Sequence, residues 1–241
     1  MIFALKSPSE EYDFEMRMYN SDGSEPEMCG NGIRCLARFL AEIDGPGAER
    51  YRILTGAGLI VPVLNPDGSV TVDMGEPVLK TADVPSTIAP NADGESIVEA
   101  DILDDDGKNW KINAISMGNP HGIIFVDDLE ALDLERYGPQ FESHSTFPAK
   151  ANIEFVQVMA PDYLKMKVWE RGAGPTMACG TGACALTVAA VRAGKIPRAG
   201  KEGTRVTLPG GDLYIEWRES DNHVYMTGPA EKVYEGTVIE P

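Results

Sequence analysis

The chain has 241 residues, 43% hydrophobic and 24% charged, with 38 acidic against 21 basic side chains and a formal net charge of −17. Such a composition belongs to one large or two ordinary globular domains, and its acidity argues against nucleic acid, whose affinity rests on Lys and Arg at phosphates. Any anionic substrate must be held by local groups, because the global field repels it.

The longest apolar run, Ala183 to Val191, is far shorter than the roughly 20 residues that span a bilayer. The opening Met1-Ile2-Phe3-Ala4-Leu5-Lys6 lacks the charged start and long apolar core of a signal peptide. A cytoplasmic setting is expected, or a plastid stroma if the source is a plant or alga. Four cysteines then read as free thiols. Cys29 and Cys35, and Cys179 and Cys184, do not have the C-x-x-C spacing of zinc knuckles or thioredoxin motifs, so no metal is expected.

Met1 to Leu5 reads as a strand and Ser7 to Asp13 as a polar loop. Phe14 to Tyr19 alternates apolar and polar side chains, the pattern of a half-buried strand. Asn20 to Pro26 is dense in turn formers. From Ile33 the positions Leu36, Ala37, Leu40 and Ala41 keep helical spacing up to Asp44-Gly45. A hairpin is predicted from Leu59 to Leu64 and Ser69 to Met74, around Asn65-Pro66-Asp67-Gly68.

Met74-Gly75-Glu76-Pro77 carries the chain into its second half. Val78 to Lys108 reads as strands with exposed acidic loops. Ile112 to Ser116 is strand-like, Met117 to His121 a turn, and Ile123 to Val126 a strand. A short helix is predicted over Leu132 to Tyr137, with strands at Asn152 to Met159 and Leu164 to Trp169. A long apolar helix follows Cys179 and stops near Ala193-Gly194. Val206 to Leu208, Leu213 to Trp217 and His223 to Met226 form a second hairpin set.

One stretch occurs twice. Met28-Cys29-Gly30-Asn31-Gly32-Ile33 returns as Ala178-Cys179-Gly180-Thr181-Gly182-Ala183, each a thiol and two glycines before an apolar helix. Met16-Arg17-Met18-Tyr19 precedes the first cysteine at the distance by which Met166-Lys167-Val168-Trp169 precedes the second. Two strand–loop–helix units therefore each present one thiol.

A helix N-terminus favours a thiolate through its dipole and free amides, so Cys29 and Cys179 are expected to have lowered pKa values. The same amides suit a carboxylate. Two such loops facing across a cleft make a two-base device, in which one thiolate removes a proton from carbon and the other thiol returns one to the opposite face. Cys35 and Cys184, inside apolar helical runs, are expected to be buried small hydrophobes. His121 reads either as a catalytic helper or as a turn cap, and Asn20 and Asn152 either as ligands or as turn and strand-end residues. His144 and His223 have no motif around them and are expected at the surface.

Asn20-Ser21-Asp22-Gly23-Ser24-Glu25, Cys29-Gly30-Asn31-Gly32, Met117-Gly118-Asn119-Pro120-His121, Glu170-Arg171-Gly172-Ala173-Gly174 and Ala178-Cys179-Gly180-Thr181-Gly182 together resemble the diaminopimelate epimerase family. The resemblance covers nearly the whole chain. It implies an α+β fold of two pseudo-symmetric domains, each a barrel-like antiparallel sheet around a central helix. Their expected bounds are 1–79 with 229–241, and 80–228, with the substrate in the cleft between them.

It also implies a cofactor-independent conversion of LL-diaminopimelate to the meso form in lysine biosynthesis. Cys29 and Cys179 match the two bases, and His121 and Glu170 match groups that assist them. Asn20, Asn119, Asn152, Glu170 and Arg171 match contacts to the distal end of the substrate. The amides of Gly30, Asn31, Gly180 and Thr181 match the grip on the reacting carboxylate. The partner is a small amino-acid substrate, with neither nucleic acid nor membrane, and a homodimer is compatible.

A His-Gly-x-Gly-Asn-Asp-Phe-like motif and a second Gly-rich stretch that open the family pattern are not in this sequence, so its first residues are expected to fall inside the first domain. The rivals are a proline racemase or hydroxyproline epimerase, which shares the two-thiol logic but typically carries His at the position of Asn31, a non-catalytic relative of the same fold, and a thiol redox sensor.

Overall fold

The computed structural model describes the chain except residues 20–22, 24, 26–27, 46, 95, 199–201 and 238–241. The chain forms two compact units, Met1–Val72 with Gly228–Pro241, and Asp73–Thr227.

In the first unit the order is β1 (Ile2–Lys6), β2 (Phe14–Met18), α1 (Gly30–Asp44), β3 (Ile53–Thr55), β4 (Gly58–Ile60), β5 (Val63–Leu64) and β6 (Val70–Asp73). β1 to β4 make one sheet in chain order, antiparallel except where β2 and β3 run parallel. α1 is amphipathic, as its spacing predicts. Ile33, Leu36, Ala37 and Leu40 are buried, while Cys35, Arg38, Phe39 and Glu42 line an exposed face. Cys35 is therefore exposed, not buried as expected: it shares the i, i+3, i+4, i+7 row with Arg38, Phe39 and Glu42.

The predicted hairpin keeps its turn but not its first arm. Pro62, which has no N–H to give a ladder, ends β4 before β5 begins. β4 pairs with β3, a strand missed in the sequence because it is three residues long, and only β5 pairs with β6.

The second unit contains β7 (Ile97–Leu103), β8 (Asn109–Ser116), β9 (Pro120–Phe125), α2 (Leu134–Glu142), β10 (Asn152–Ala160), β11 (Tyr163–Glu170), β12 (Gly174–Thr176), α3 (Gly180–Arg192), β13 (Thr204–Leu208), β14 (Gly211–Trp217) and β15 (Val224–Gly228). Its sheet runs β15-β14-β13-β11-β10-β9-β8-β7, with β12 on β11. The neighbours are antiparallel except β9 with β10 and β11 with β13. The α+β expectation holds, with much sheet and few helices. α2 runs on through Pro139 to Glu142 because the buried Phe141 and Glu142 anchor its last turn.

Alternation across the central strands divides the core. Ile123, Val156, Leu164, Met166 and Val168 face α3, whose own Ala183–Ala190 run is buried. Ile112, Ile124, Ile153 and Phe155 face the opposite way, onto Phe141 and Phe147. Successive side chains of a strand point to opposite faces, so both faces of β9 and β10 are covered. A charged side chain at either strand must then find its partner inside the protein.

Candidate active site

Each of the two repeated loops ends in a cysteine at the N-cap of a helix. Cys29 caps α1 with φ −140° and ψ 118°, and Cys179 caps α3 with φ −127° and ψ 106°. The first intrahelical bonds close identically, from Ile33 N–H to the Cys29 carbonyl (2.9 Å) and from Ala183 N–H to the Cys179 carbonyl (3.0 Å). The N–H groups of Gly30 and Asn31, and of Gly180 and Thr181, precede the first intrahelical donors, Ile33 and Ala183, and are of the kind that can serve an anion. In the first loop Gly32 N–H reaches the Cys29 sulfur at 3.4 Å.

The second glycine of each motif is there for space. A Cβ on Gly32 would lie 2.8 Å from Ile2 Cδ1, and one on Gly182 would lie 2.5 Å from Glu154 Oε1 and 3.2 Å from Cys179 Sγ.

Around α3 several expected residues converge. His121, on β9, is fully buried, and its Nε2 lies 2.9 Å from Asn119 Oδ1. Asn119 Nδ2 donates to Thr181 Oγ1 at 3.3 Å, and that hydroxyl lies 3.6 Å from the Cys179 sulfur. His121 thus belongs to the strand, not to the turn before it, so the turn-cap alternative falls away. Glu170, at the end of β11, accepts a bond from the Thr176 hydroxyl and acts electrostatically on Cys179.

Asn152 is spent on the main chain: Nδ2 donates to Pro120 O (3.1 Å) and Oδ1 accepts from Arg171 N–H (2.9 Å). It thereby joins the His121 strand to the Glu170-Arg171 turn. Arg171 is exposed, with Nη1 3.3 Å from Ala149 O. Asn20 lies outside the described residues. His223 is half-buried and pairs with Asp73 at 2.8 Å, which raises its pKa, while His144 bonds Thr146.

The turn that carries Glu170 and Arg171 is braced by Glu142. Its carboxylate accepts from Trp169 Nε1 (2.8 Å), Gly172 N–H (3.0 Å) and Lys150 Nζ (3.3 Å). Burial opposes the charge, yet these donors outweigh it and hold the carboxyl below its ordinary pKa.

The thiol of Cys179 departs from the expectation. Burial first, then the carboxylates of Glu154 and Glu170, push its pKa well above the ordinary thiol value; the Thr181 hydroxyl and Gly182 N–H pull only weakly the other way. At 6% exposure the desolvation of a thiolate outweighs the helix dipole. These surroundings favour the neutral thiol of Cys179 over its thiolate.

A family model described as "Diaminopimelate epimerase" matches residues 1–80 and 113–233. A protein of Synechococcus elongatus named diaminopimelate epimerase is 58% identical over 238 residues, covering 99% of this chain and 82% of that protein. The chain belongs to the diaminopimelate epimerase family. The family's proteins are isomerases of lysine biosynthesis. The Trichodesmium erythraeum protein of that name is 52% identical over 99% of this chain and 83% of its own length. The rice protein named "Diaminopimelate epimerase, chloroplastic" is 53% identical over 94% of this chain and 64% of its own length.

Solved structures extend the likeness in fold. A predicted epimerase of Pseudomonas aeruginosa superposes with TM-score 0.68 at 16% identity, covering 100% of this chain and 84% of that one. A hydroxyproline epimerase of Agrobacterium vitis, with bound trans-4-hydroxy-L-proline, gives 0.63 at 17% identity over 95% of this chain and 72% of that one.

One residue of this family member's site escaped the sequence reading. Glu154, on β10, has no solvent exposure and sits with Oε1 2.7 Å from His121 Nδ1. The signal was present: Asn152-Ile153-Glu154-Phe155-Val156 is a buried strand pattern with one carboxylate inside it. A carboxylate in a dry interior is costly unless it is paired, so Glu154 and His121 belong together. Among the described helices none is long and apolar enough to cross a membrane.

Proposed function

We propose that the protein interconverts LL- and meso-diaminopimelate by two-thiol proton transfer, Cys29 and Cys179 serving as the acid and base. The observation that carries the proposal is the repeated N-cap: two cysteines, 150 positions apart in a repeated motif, in the same backbone conformation at the head of a helix. One thiolate takes the proton from the α-carbon and the other thiol returns one to the opposite face, inverting the centre.

The α-C–H is a very weak acid, so developing charge must be met by fixed donors at the α-carboxylate. In this reading those are the amides of Gly30, Asn31, Gly180 and Thr181. Asn119, Asn152, Glu170 and Arg171, with Asn20, orient the distal amino-acid end, which separates this substrate from amino acids lacking one. His121 and Glu170 assist the thiols. The two units are the two epimerase domains, and no cofactor takes part. The chemistry needs both thiols reduced, which fits the cytoplasm or a plastid stroma.

The test is turnover in heavy water. A waiting thiol exchanges its hydrogen with solvent, so early product is expected to carry deuterium at the inverted carbon while recovered substrate stays unlabelled. Early product that retains the substrate hydrogen overturns the two-thiol assignment. Failure to turn over LL-diaminopimelate at all, with turnover of proline or hydroxyproline, replaces the substrate.

A further inference from the structure

The buried acid–imidazole pair has a consequence beyond the two thiols. Glu154 and His121 are both without solvent exposure, 2.7 Å apart, on neighbouring parallel strands that point them to the same face of the sheet. The second carboxylate oxygen, Oε2, is buried with no hydrogen-bond partner among the described residues. Gly182 offers no side chain to push the carboxylate aside, since a Cβ there would meet Oε1 at 2.5 Å. The carboxylate is therefore held by β10 on one side and the first turn of α3 on the other, and among the described residues its one hydrogen-bond partner is the imidazole.

Hydrogen-bond bookkeeping fixes the protons of the ring. Asn119 uses its amide nitrogen toward Thr181 Oγ1 and turns its oxygen to His121 Nε2. An oxygen facing Nε2 at 2.9 Å needs a proton on that nitrogen. On the other edge, 2.7 Å between Nδ1 and Oε1 needs exactly one proton between them, whichever atom holds it. The pair then carries two ring-side protons and no net charge, which is the arrangement a dry interior favours.

We propose that Glu154 is a positioning residue that keeps Nε2 of His121 protonated, so that the imidazole meets the thiol–substrate chemistry as a fixed N–H donor and not as a base. The inference rests on the epimerase reading above for its activity arm. Glu154 touches neither substrate nor thiol proton. It acts through His121, whose N–H continues by way of Asn119 and Thr181 to the sulfur of Cys179. A ring left to choose its own tautomer would populate the form with a bare Nε2 facing the Asn119 oxygen, and the chain to Cys179 would break at its first link.

The experiment is nitrogen NMR on protein labelled at histidine. Three histidines are present, and His144→Gln and His223→Gln variants identify the signals of His121. In the unmodified protein the expected spectrum has a protonated Nε2 and an Nδ1 signal intermediate between protonated and bare. In Glu154→Gln, whose amide can occupy the same space and can either donate to Nδ1 or accept from it, the ring is no longer held to one form, and the Nε2 signal is expected to move part-way toward the bare position. kcat is expected to fall on the order of 10- to 100-fold, less than the roughly 10²–10⁴ that a group transferring the proton itself contributes, with KM changed less than threefold.

A bare Nε2 in the unmodified protein overturns the proposal, as does a Glu154→Gln protein with unaltered Nε2 signal or unaltered kcat. Should Glu154→Gln fail to fold, the unmodified spectrum decides alone, by its Nε2. Should the unmodified protein not epimerise LL-diaminopimelate, the substrate reading fails while the ring spectra still judge the pairing.

Discussion

The heads of α1 and α3 have the same cap, the same two glycines and nearly the same backbone angles, yet their surroundings differ in kind. Gly32 lies against the apolar ends of Ile2 and Met18, whereas Gly182 lies against the carboxylate of Glu154. α1 keeps an exposed face, and α3 is enclosed by sheet along most of its length. Duplication thus conserved what the thiol needs from its own chain, the cap and the free amides, and left the neighbouring strand free to supply different chemistry. The pair of loops is two-fold in backbone and asymmetric in electrostatics. Under the proposed two-thiol reading, the difference marks the head of α3 as the one whose thiol has carboxylates beside it.

The comparison predicts first that neither head can replace the other. Cys29→Ala and Cys179→Ala are each expected to lower kcat by on the order of 10³-fold or more, since each removes one of the two proton-transfer groups. The double variant is expected to be little worse than either single one. Steady-state assays in both directions check this, and near-normal turnover by either single variant would make the repeated cap a structural relic.

The glycines sharpen the contrast. Gly182→Ala drives a methyl into a carboxylate that is enclosed on both sides, so a loss of about 1–3 kcal/mol is expected, together with a fall in kcat. Gly32→Ala meets the flexible ends of Ile2 and Met18 and, at 3.3 Å, the Cβ of Cys29, and it gains the helix preference of Ala, so it is expected to lie within about 1 kcal/mol of the parent. Denaturant unfolding of the two variants gives the answer. Equal costs would mean that the Glu154 environment is softer than its packing implies.

Much of this was legible beforehand, and what was not has specific causes. Both cysteine caps, both helices and the strands at Phe14, Asn152, Leu164 and Val206 follow from periodicity and Gly-bounded loops. β3 and β12 are three residues long, too short to show a period. β4 and β5 looked like one strand because the sequence pattern continues across Pro62 while the pairing does not. Glu154 was passed over because a charge in an apolar strand carries no motif of its own; its meaning comes from His121, 33 positions away in sequence and beside it in the sheet. The thiol of Cys179 was expected to be acidic from its helix position alone. Burial and two carboxylates, one from β10 and one from the end of β11, reverse that.

The two remaining cysteines extend the comparison to the helix bodies. Cys184 is fully buried in the α3 core, so Cys184→Ala is expected to cost about 1 kcal/mol through the cavity it leaves. Cys35 is exposed, and Cys35→Ala is expected to stay within about 0.5 kcal/mol. With limiting alkylating reagent, Cys35 is expected to be labelled early and Cys184 last, and modification of Cys35 alone is expected to leave turnover intact. Peptide mapping against residual activity distinguishes this from the reverse order.

The smallest effect concerns the proton on Cys179. Its folded pKa lies above that of an unfolded thiol, about 8.5. Below that value both states hold the proton, and the group does not make stability depend on pH. Above it the unfolded chain releases its proton while the folded protein keeps it, so the folded state binds more protons and stability falls as pH rises. For one group this amounts to just under about 1 kcal/mol between pH 7.5 and 9.0. Tyr51 and Tyr225, whose pKa values are also raised by burial, act in the same direction nearer pH 10, so the range stops short of them. Cys179→Ala should flatten the decline by that amount while Cys35→Ala, on the exposed face of α1, should not alter it. If the decline is the same with and without the Cys179 thiol, folding does not shift its pKa and the asymmetry between the two helix heads is not electrostatic; a decline that steepens in Cys179→Ala means that the folded thiol is the more acidic one.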